Sequence, residues 1–139
     1  MTMPCCSSTG RLFHASVHLA LAQIDEGLAA VNDGLKCVER NGERWAEAEL
    51  YRIRGQLLLA RGLQDAALVE KCFSQALDIA RRQQAKAYEL RAASGLAQLW
   101  RRQGRDREAK ALLTEAIGAW PEAPQTADLV AAKQLRDLT

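Results

Sequence analysis

His14 and His18 stand four residues apart, a spacing that turns two imidazoles to one side of a helix and lets them share a metal. No Glu follows His14 and no third ligand is placed, and two ligands alone rarely hold zinc. Cys5 and Cys6 would complete such a site only if the start of the chain folded back, so no metal site is expected. The four cysteines, Cys5, Cys6, Cys37 and Cys72, contain no C-x-x-C spacing and so no zinc ribbon. A cysteine nucleophile needs its base in contact within a pocket. Cys37 and Cys72 instead fall inside helical patterns, where a thiol packs as a small hydrophobe. Glu47 with Glu49, and Asp106 with Glu108, are two apart on helices and do not face one another. They read as solvated turns. Trp45 and Trp100 fall on apolar stripes and read as core, while Trp120, just before Pro121, is left as a residue for an interface. The chain therefore offers no catalytic residue, no metal ligand and no cofactor motif, and it does not read as an enzyme.

The elements that carry these residues are helical. Apolar residues recur every three or four positions, and period-two alternation is hard to find. The spacing predicts a first helix over 11–21 and a second from Asp25, with Leu28, Val31, Leu35 and Val38 on one stripe and a stop at Asn41-Gly42. A third begins near Glu43, with Ala48, Leu50, Ile53, Leu57 and Leu58 inward, and closes at Gly62. A fourth begins near Asp65, a predicted N-cap, and carries Leu68, Val69, Cys72, Phe73, Ala76, Leu77 and Ala80; Arg81 and Arg82 suit its negative end. A fifth spans 85–103 with Leu90, Ala93, Leu96 and Ala97 inward and Gly104 as stop. A sixth starts near Asp106, with Ala109, Leu112, Leu113, Ala116 and Ile117 inward, and Pro121 and Pro124 end it. The last, over 126–138, opens on Thr126 as N-cap and turns Leu129, Ala132, Leu135 and Leu138 to one face.

Composition agrees with a single all-α domain. The chain has 139 residues, 48% of them in the apolar and aromatic group, with only 3 prolines and 9 glycines, too few turn residues for an all-β design. Residues 1–10 read as a flexible leader with neither a basic n-region nor an apolar h-region, and no run is long and apolar enough to span a membrane. With no disulfide framework in view, a reducing cytoplasm is the expected compartment. The net charge of +2 hides a basic middle: residues 71–110 carry 10 basic and 4 acidic side chains, a local excess of +6. That excess is enough to attract phosphate or an acidic peptide. Arginines on the solvated side of amphipathic helices are the favoured account, because a helix that buries one face must charge the other.

Helices joined by short turns lie antiparallel, and three such pairs follow one another, over about 11–41, 43–84 and 85–120, with 126–138 as a cap. Aligning the turns at Gly62 and Gly104, 42 residues apart, matches Gly55 with Ala97. Past each turn comes a small-large-small pattern: Val69, Phe73, Ala76, then Ala109, Leu113, Ala116; Gly27, Val31, Gly34 repeat it in the first pair. A small residue in one helix lets its neighbour approach, and a large one fills the space between units. In this way each pair is completed by the next.

The motif resembles the tetratricopeptide repeat, W-x2-L-G-x2-Y followed by A-x3-F-x2-A and Pro. The third copy fits best, with Leu96, Ala97, Trp100, Gly104, Ala109, Leu113, Ala116 and Pro121. The second departs from it with Tyr51, Val69 and Arg81 in place of Trp, Ala and Pro, and the first is degenerate. The runs 42–50, 72–77, 80–86, 89–93 and 99–104, with 126–129, are also similar to the C-terminal repeats of large bacterial regulators that join a class III nucleotide cyclase or a DNA-binding domain to a P-loop ATPase. The chain holds no cyclase and no G-x4-GK[ST] loop, so the resemblance implies an excised piece or a stand-alone relative in which the repeats recruit or regulate. It also implies a curved helix-hairpin solenoid. The family's concave positions fall on Glu49, Arg52, Gln56 and Leu59 in the second unit and on Arg91, Ser94, Gln98, Arg101 and Arg102 in the third.

A helix-spaced row of Arg and Gln grips a carboxylate or a peptide backbone. The expected function is a non-catalytic interaction module, or scaffold, for a protein or peptide. Arg52→Glu with Arg101→Glu is expected to leave the helices intact and abolish partner capture. The alternative is a nucleic-acid- or nucleotide-responsive regulator using the basic 71–110 region; the absence of a recognition-helix motif and of interleaved aromatics there ranks it lower. Three units are near the minimum for a stable stack, so a two-fold homodimer through an uncovered end is a further expectation.

Overall fold

Each helix ends where the local backbone can reverse. The structure, a computed structural model, describes residues 23–42, 44–62, 64–121 and 126–137, with the backbone alone for Asn41, Trp45, Ala127 and Asp128. The leader, the helix expected over 11–21, Cys5, Cys6, His14, His18, Pro124 and Leu138 lie outside the described residues, and so does the side chain of Trp45. Within them are six α-helices and no strand: α1 (Ile24–Asn41), α2 (Glu47–Arg61), α3 (Ala66–Arg82), α4 (Lys86–Arg102), α5 (Asp106–Gly118) and α6 (Ala127–Asp137). A short 3-10 turn, Arg44–Ala46, leads into α2, so this helix begins later than the acidic run near Glu43 predicts.

Gly42 caps α1 in the left-handed conformation, φ 72°, and its N–H donates to the Val38 carbonyl at 2.8 Å. Gly104 stands at φ 79° after α4, and the next N–H, of Arg105, returns to the Trp100 carbonyl at 2.8 Å. The turn after α3 has the same form. The Ala85 N–H reaches the Ala80 carbonyl at 2.9 Å, but the left-handed residue is Gln84, φ 56°. A side chain in that conformation costs about 1 kcal/mol that glycine does not. Gln84→Gly is therefore expected to raise stability by roughly 0.5–1 kcal/mol in urea denaturation, and a loss would show that the Gln84 side chain holds the turn. At helix starts, Thr126 caps α6 as expected: its Oγ1 accepts from the Leu129 N–H at 3.2 Å. Asp65 stands at the cap position of α3 but makes no cap bond; its carboxylate faces Arg61 at 3.4 Å instead.

Sequential helices pack on one another, and α2, α4 and α6 also touch in that order. The larger core cluster joins Leu58 and Leu59 of α2 to side chains of α3, α4, α5 and α6; a second joins α1 to α2 around Val31, Val38, Leu50, Ile53 and Leu57. The described apolar residues of the predicted stripes are buried or half-buried, with one correction. Leu68 lies at the edge of its stripe in the first turn of α3 and stays 38% exposed. Cys37 and Cys72 are buried thiols, and burial pushes the Cys72 thiol above its ordinary pKa, which keeps it protonated and inert.

Phe73 of α3 is fully buried between two glycines. A Cβ on Gly55 of α2 would stand 3.0 Å from its ring, and a Cβ on Gly95 of α4 would stand 2.3 Å away. One aromatic side chain thus holds α2 and α4 close because neither presents a side chain to it. The partner of Gly55 is Gly95, not Ala97 as the turn glycines suggested. Those glycines are not equivalent: Gly62 follows α2 directly, whereas Gly104 comes two residues after Arg102. The spacing shared by Gly55 and Gly95, Phe73 and Leu113, and Ala76 and Ala116 is 40 residues.

Candidate functional site

Two carboxylates are buried near the starts of α2 and α4, Glu49 and Glu89, again 40 positions apart. Glu49 is only 4% exposed, so it is no solvated turn residue. It accepts from Arg52 Nε at 2.7 Å, from Arg52 Nη2 at 3.1 Å and from Arg91 Nη1 at 2.8 Å. The Arg52 bonds come from one turn further along α2, and the Arg91 bond crosses to α4. A carboxylate out of water requires such partners, and the network fastens α2 to α4. Glu89 takes Arg81 at 3.2 Å and Lys86 at 3.8 Å; Arg81 also reaches Glu115 of α5 at 2.8 Å.

The positions nominated by resemblance separate into three groups. Arg52, Gln56, Arg91, Ser94 and Gln98 line one cavity of about 160 Å³, closed on one side by Ala131 of α6. Gln98, Arg101 and Arg102 line a second, of about 390 Å³, with Leu135 of α6. Gln98 belongs to both, so the two cavities adjoin along α4, with polar side chains from α2 and α4 and the apolar Ala131 and Leu135 from α6. Glu49 pairs with both arginines of the first cavity, Arg52 and Arg91. Leu59 takes no part: it is 3% exposed and packed in the larger core cluster, because this helix turns one more residue toward the core than the stripe at its centre predicts.

Charge is distributed unevenly over this stretch. Of the cations between 71 and 110, Arg81, Lys86, Arg91 and Arg105 pair with carboxylates, so the local excess of positive charge is partly spent inside the fold. Arg105 bonds Glu108 at 2.7 Å and faces Glu70 at 3.4 Å; its hydrogen bonds to Glu108 hold that carboxyl below the usual range. Its guanidinium also stacks on Trp100, 4.6 Å from the ring. Trp100 is half-buried against the core, as its stripe predicts. Trp120 lines a separate cavity of about 370 Å³ with Lys86, Tyr88 and the Gln84 turn.

Sequence reasoning missed Gly95 and Glu89. A glycine in mid-helix is itself a signal of close approach, and Glu89 precedes Gly95 by the same six residues that separate Glu49 from Gly55. Among the described residues, no group of three His, Cys, Asp or Glu side chains is placed to hold a metal. None of the described helices is long and apolar enough to cross a membrane. Comparison with protein-family models, with curated proteins and with solved structures returns no match.

Proposed function

We propose that this chain is a non-catalytic interaction module of the tetratricopeptide-like helical-repeat kind, which presents the face shared by α2, α4 and α6 to a peptide or a partner domain and serves to recruit or regulate. The observation that carries the reading is the pair of cavities adjoining at Gln98, lined by polar side chains of α2 and α4 and by Ala131 and Leu135 of α6 rather than by one helix alone. Three further facts support it. Consecutive helix pairs share a 40-residue spacing, a large side chain of one pair fills the gap between its own helix and the next, and alternate helices touch. Such an arrangement leaves one edge of each helix free to meet an extended ligand.

The test avoids Arg52. Reversing that residue, as the sequence alone suggested, would set a second carboxylate beside buried Glu49 and unfold the region. Arg101→Glu with Gln98→Glu changes the same surface without touching that network. The variant is expected to keep the circular dichroism and melting profile of the parent and to lose a partner that the parent recovers from its source cell and binds as a purified protein. Undiminished binding by the variant would place the interaction elsewhere on the molecule.

A further inference from the structure

The ends of α3 and α4 carry the same pair of residues, Arg81-Arg82 and Arg101-Arg102, each in a helix's last turn. The helix dipole favours positive charge at both. Their surroundings differ. Arg81 is committed to Glu89 and Glu115. Among the described residues, Arg101 and Arg102 have no carboxylate or hydrogen-bonding partner, and no acidic side chain lines the cavity they share with Gln98 and Leu135. Among the described residues Arg101 Nε, like Trp100 Nε1, is buried with no acceptor. The dipole explains a cation at this place; it does not explain two adjacent guanidiniums beside one cavity with no carboxylate among the described residues to pair them.

We infer that the cavity at Gln98, Arg101 and Arg102 is a site for a phosphate monoester dianion, carried by a phosphorylated side chain of the bound peptide. This rests on the proposed peptide-binding role of the α2, α4 and α6 face. The charge decides the class of ligand. Two neighbouring guanidiniums with no carboxylate of their own among the described residues offer two positive charges, which a phosphate monoester dianion balances fully and a single carboxylate only by half. A phosphate offers three acceptor oxygens, enough to take N–H groups of Arg101 and Arg102 and the Gln98 amide together. A cavity of about 390 Å³ holds such a group, and Leu135 supplies an apolar wall for the carbon that bears it.

The experiment is an NMR titration of the intact chain in phosphate-free buffer, following the arginine Nε–H and glutamine side-chain signals, with phenyl phosphate in one arm and benzoate in the other. Phenyl phosphate is expected to saturate shifts of Arg101 Nε–H and the Gln98 amide, with an affinity about tenfold above that of benzoate. Arg101→Gln is expected to abolish the saturation. Arg102→Gln, at an exposed position that folding does not need, is expected to weaken it about tenfold. No saturation, equal affinity for benzoate, or unchanged binding by Arg102→Gln would overturn the inference. The two readings fail separately: if phenyl phosphate does not bind while Arg101→Glu with Gln98→Glu still loses the protein partner, the peptide surface stands and only the phosphate assignment falls.

Discussion

Phe73→Ala is expected to cost about 3–5 kcal/mol of folding stability, the largest effect of any single truncation in this chain. Phe73 is fully buried, and its ring fills the space between α2 and α4 that Gly55 and Gly95 leave open. Truncation removes the contacts of both helices with one stroke, and the two backbones cannot close over the gap without shifting everything packed behind them. The converse substitution tests the same geometry. Gly95→Ala gains roughly 1 kcal/mol of helix propensity, but its Cβ would stand 2.3 Å from a ring that is fully buried and has little room to retreat. Overpacking of this kind costs about 1–3 kcal/mol and is expected to win. Gly55→Ala meets the ring less closely and is expected to be milder. Urea denaturation of Gly95→Ala in the presence and absence of Phe73→Leu measures the coupling. The smaller side chain is expected to recover most of the loss, and a Gly95→Ala protein more stable than the parent would refute the close approach.

Removing both arginines from Glu49, as Arg52→Ala with Arg91→Ala, is expected to cost about 3–5 kcal/mol, because a carboxylate would be left buried without a counter-charge. Arg91→Ala alone is expected to cost less than half as much. Arg52 alone still satisfies both carboxylate oxygens, and the Arg91 side chain, 37% exposed, already shares its charge with water. The control is Glu49→Gln in the doubly substituted protein. It removes the stranded charge and is expected to restore much of the stability lost. If it restores nothing, the arginines act through the packing of their alkyl stems and not through charge.

Most of the helical content was legible because its causes are local. The stripe Val69, Cys72, Phe73, Ala76, Leu77, Ala80 turns to one side at any helical pitch, and burial follows. Gly42 and Gly104 mark reversals because few other residues adopt positive φ easily. The turn at Gln84 escaped notice because glutamine carries no such preference; the short connection between α3 and α4 forces it there. Thr126 was readable as a cap, but Asp65 was not readable as a failed one, since the choice between capping and pairing depends on where Arg61 points.

The candidate site was legible as a set of positions and not as a set of roles. Periodicity places Glu49, Arg52 and Gln56 along one edge of α2, and Arg91, Ser94, Gln98 and Arg101 along one edge of α4. It does not say that Glu49 takes its third hydrogen bond from a residue 42 positions away, which turns a row of free arginines into a fastening for the first cavity. Nor does it say that Arg101 and Arg102 lack what Arg81 has. Sequence alone determined that this chain forms amphipathic helices, where several of them stop and which sides are apolar, since backbone preference and residue spacing act within a few positions. Tertiary structure decided which glycine meets Phe73, that Leu59 goes inside while Leu68 stays out, and which charges are neutralised. Those outcomes depend on groups far apart in the chain that come within a few ångströms only after the helices pack.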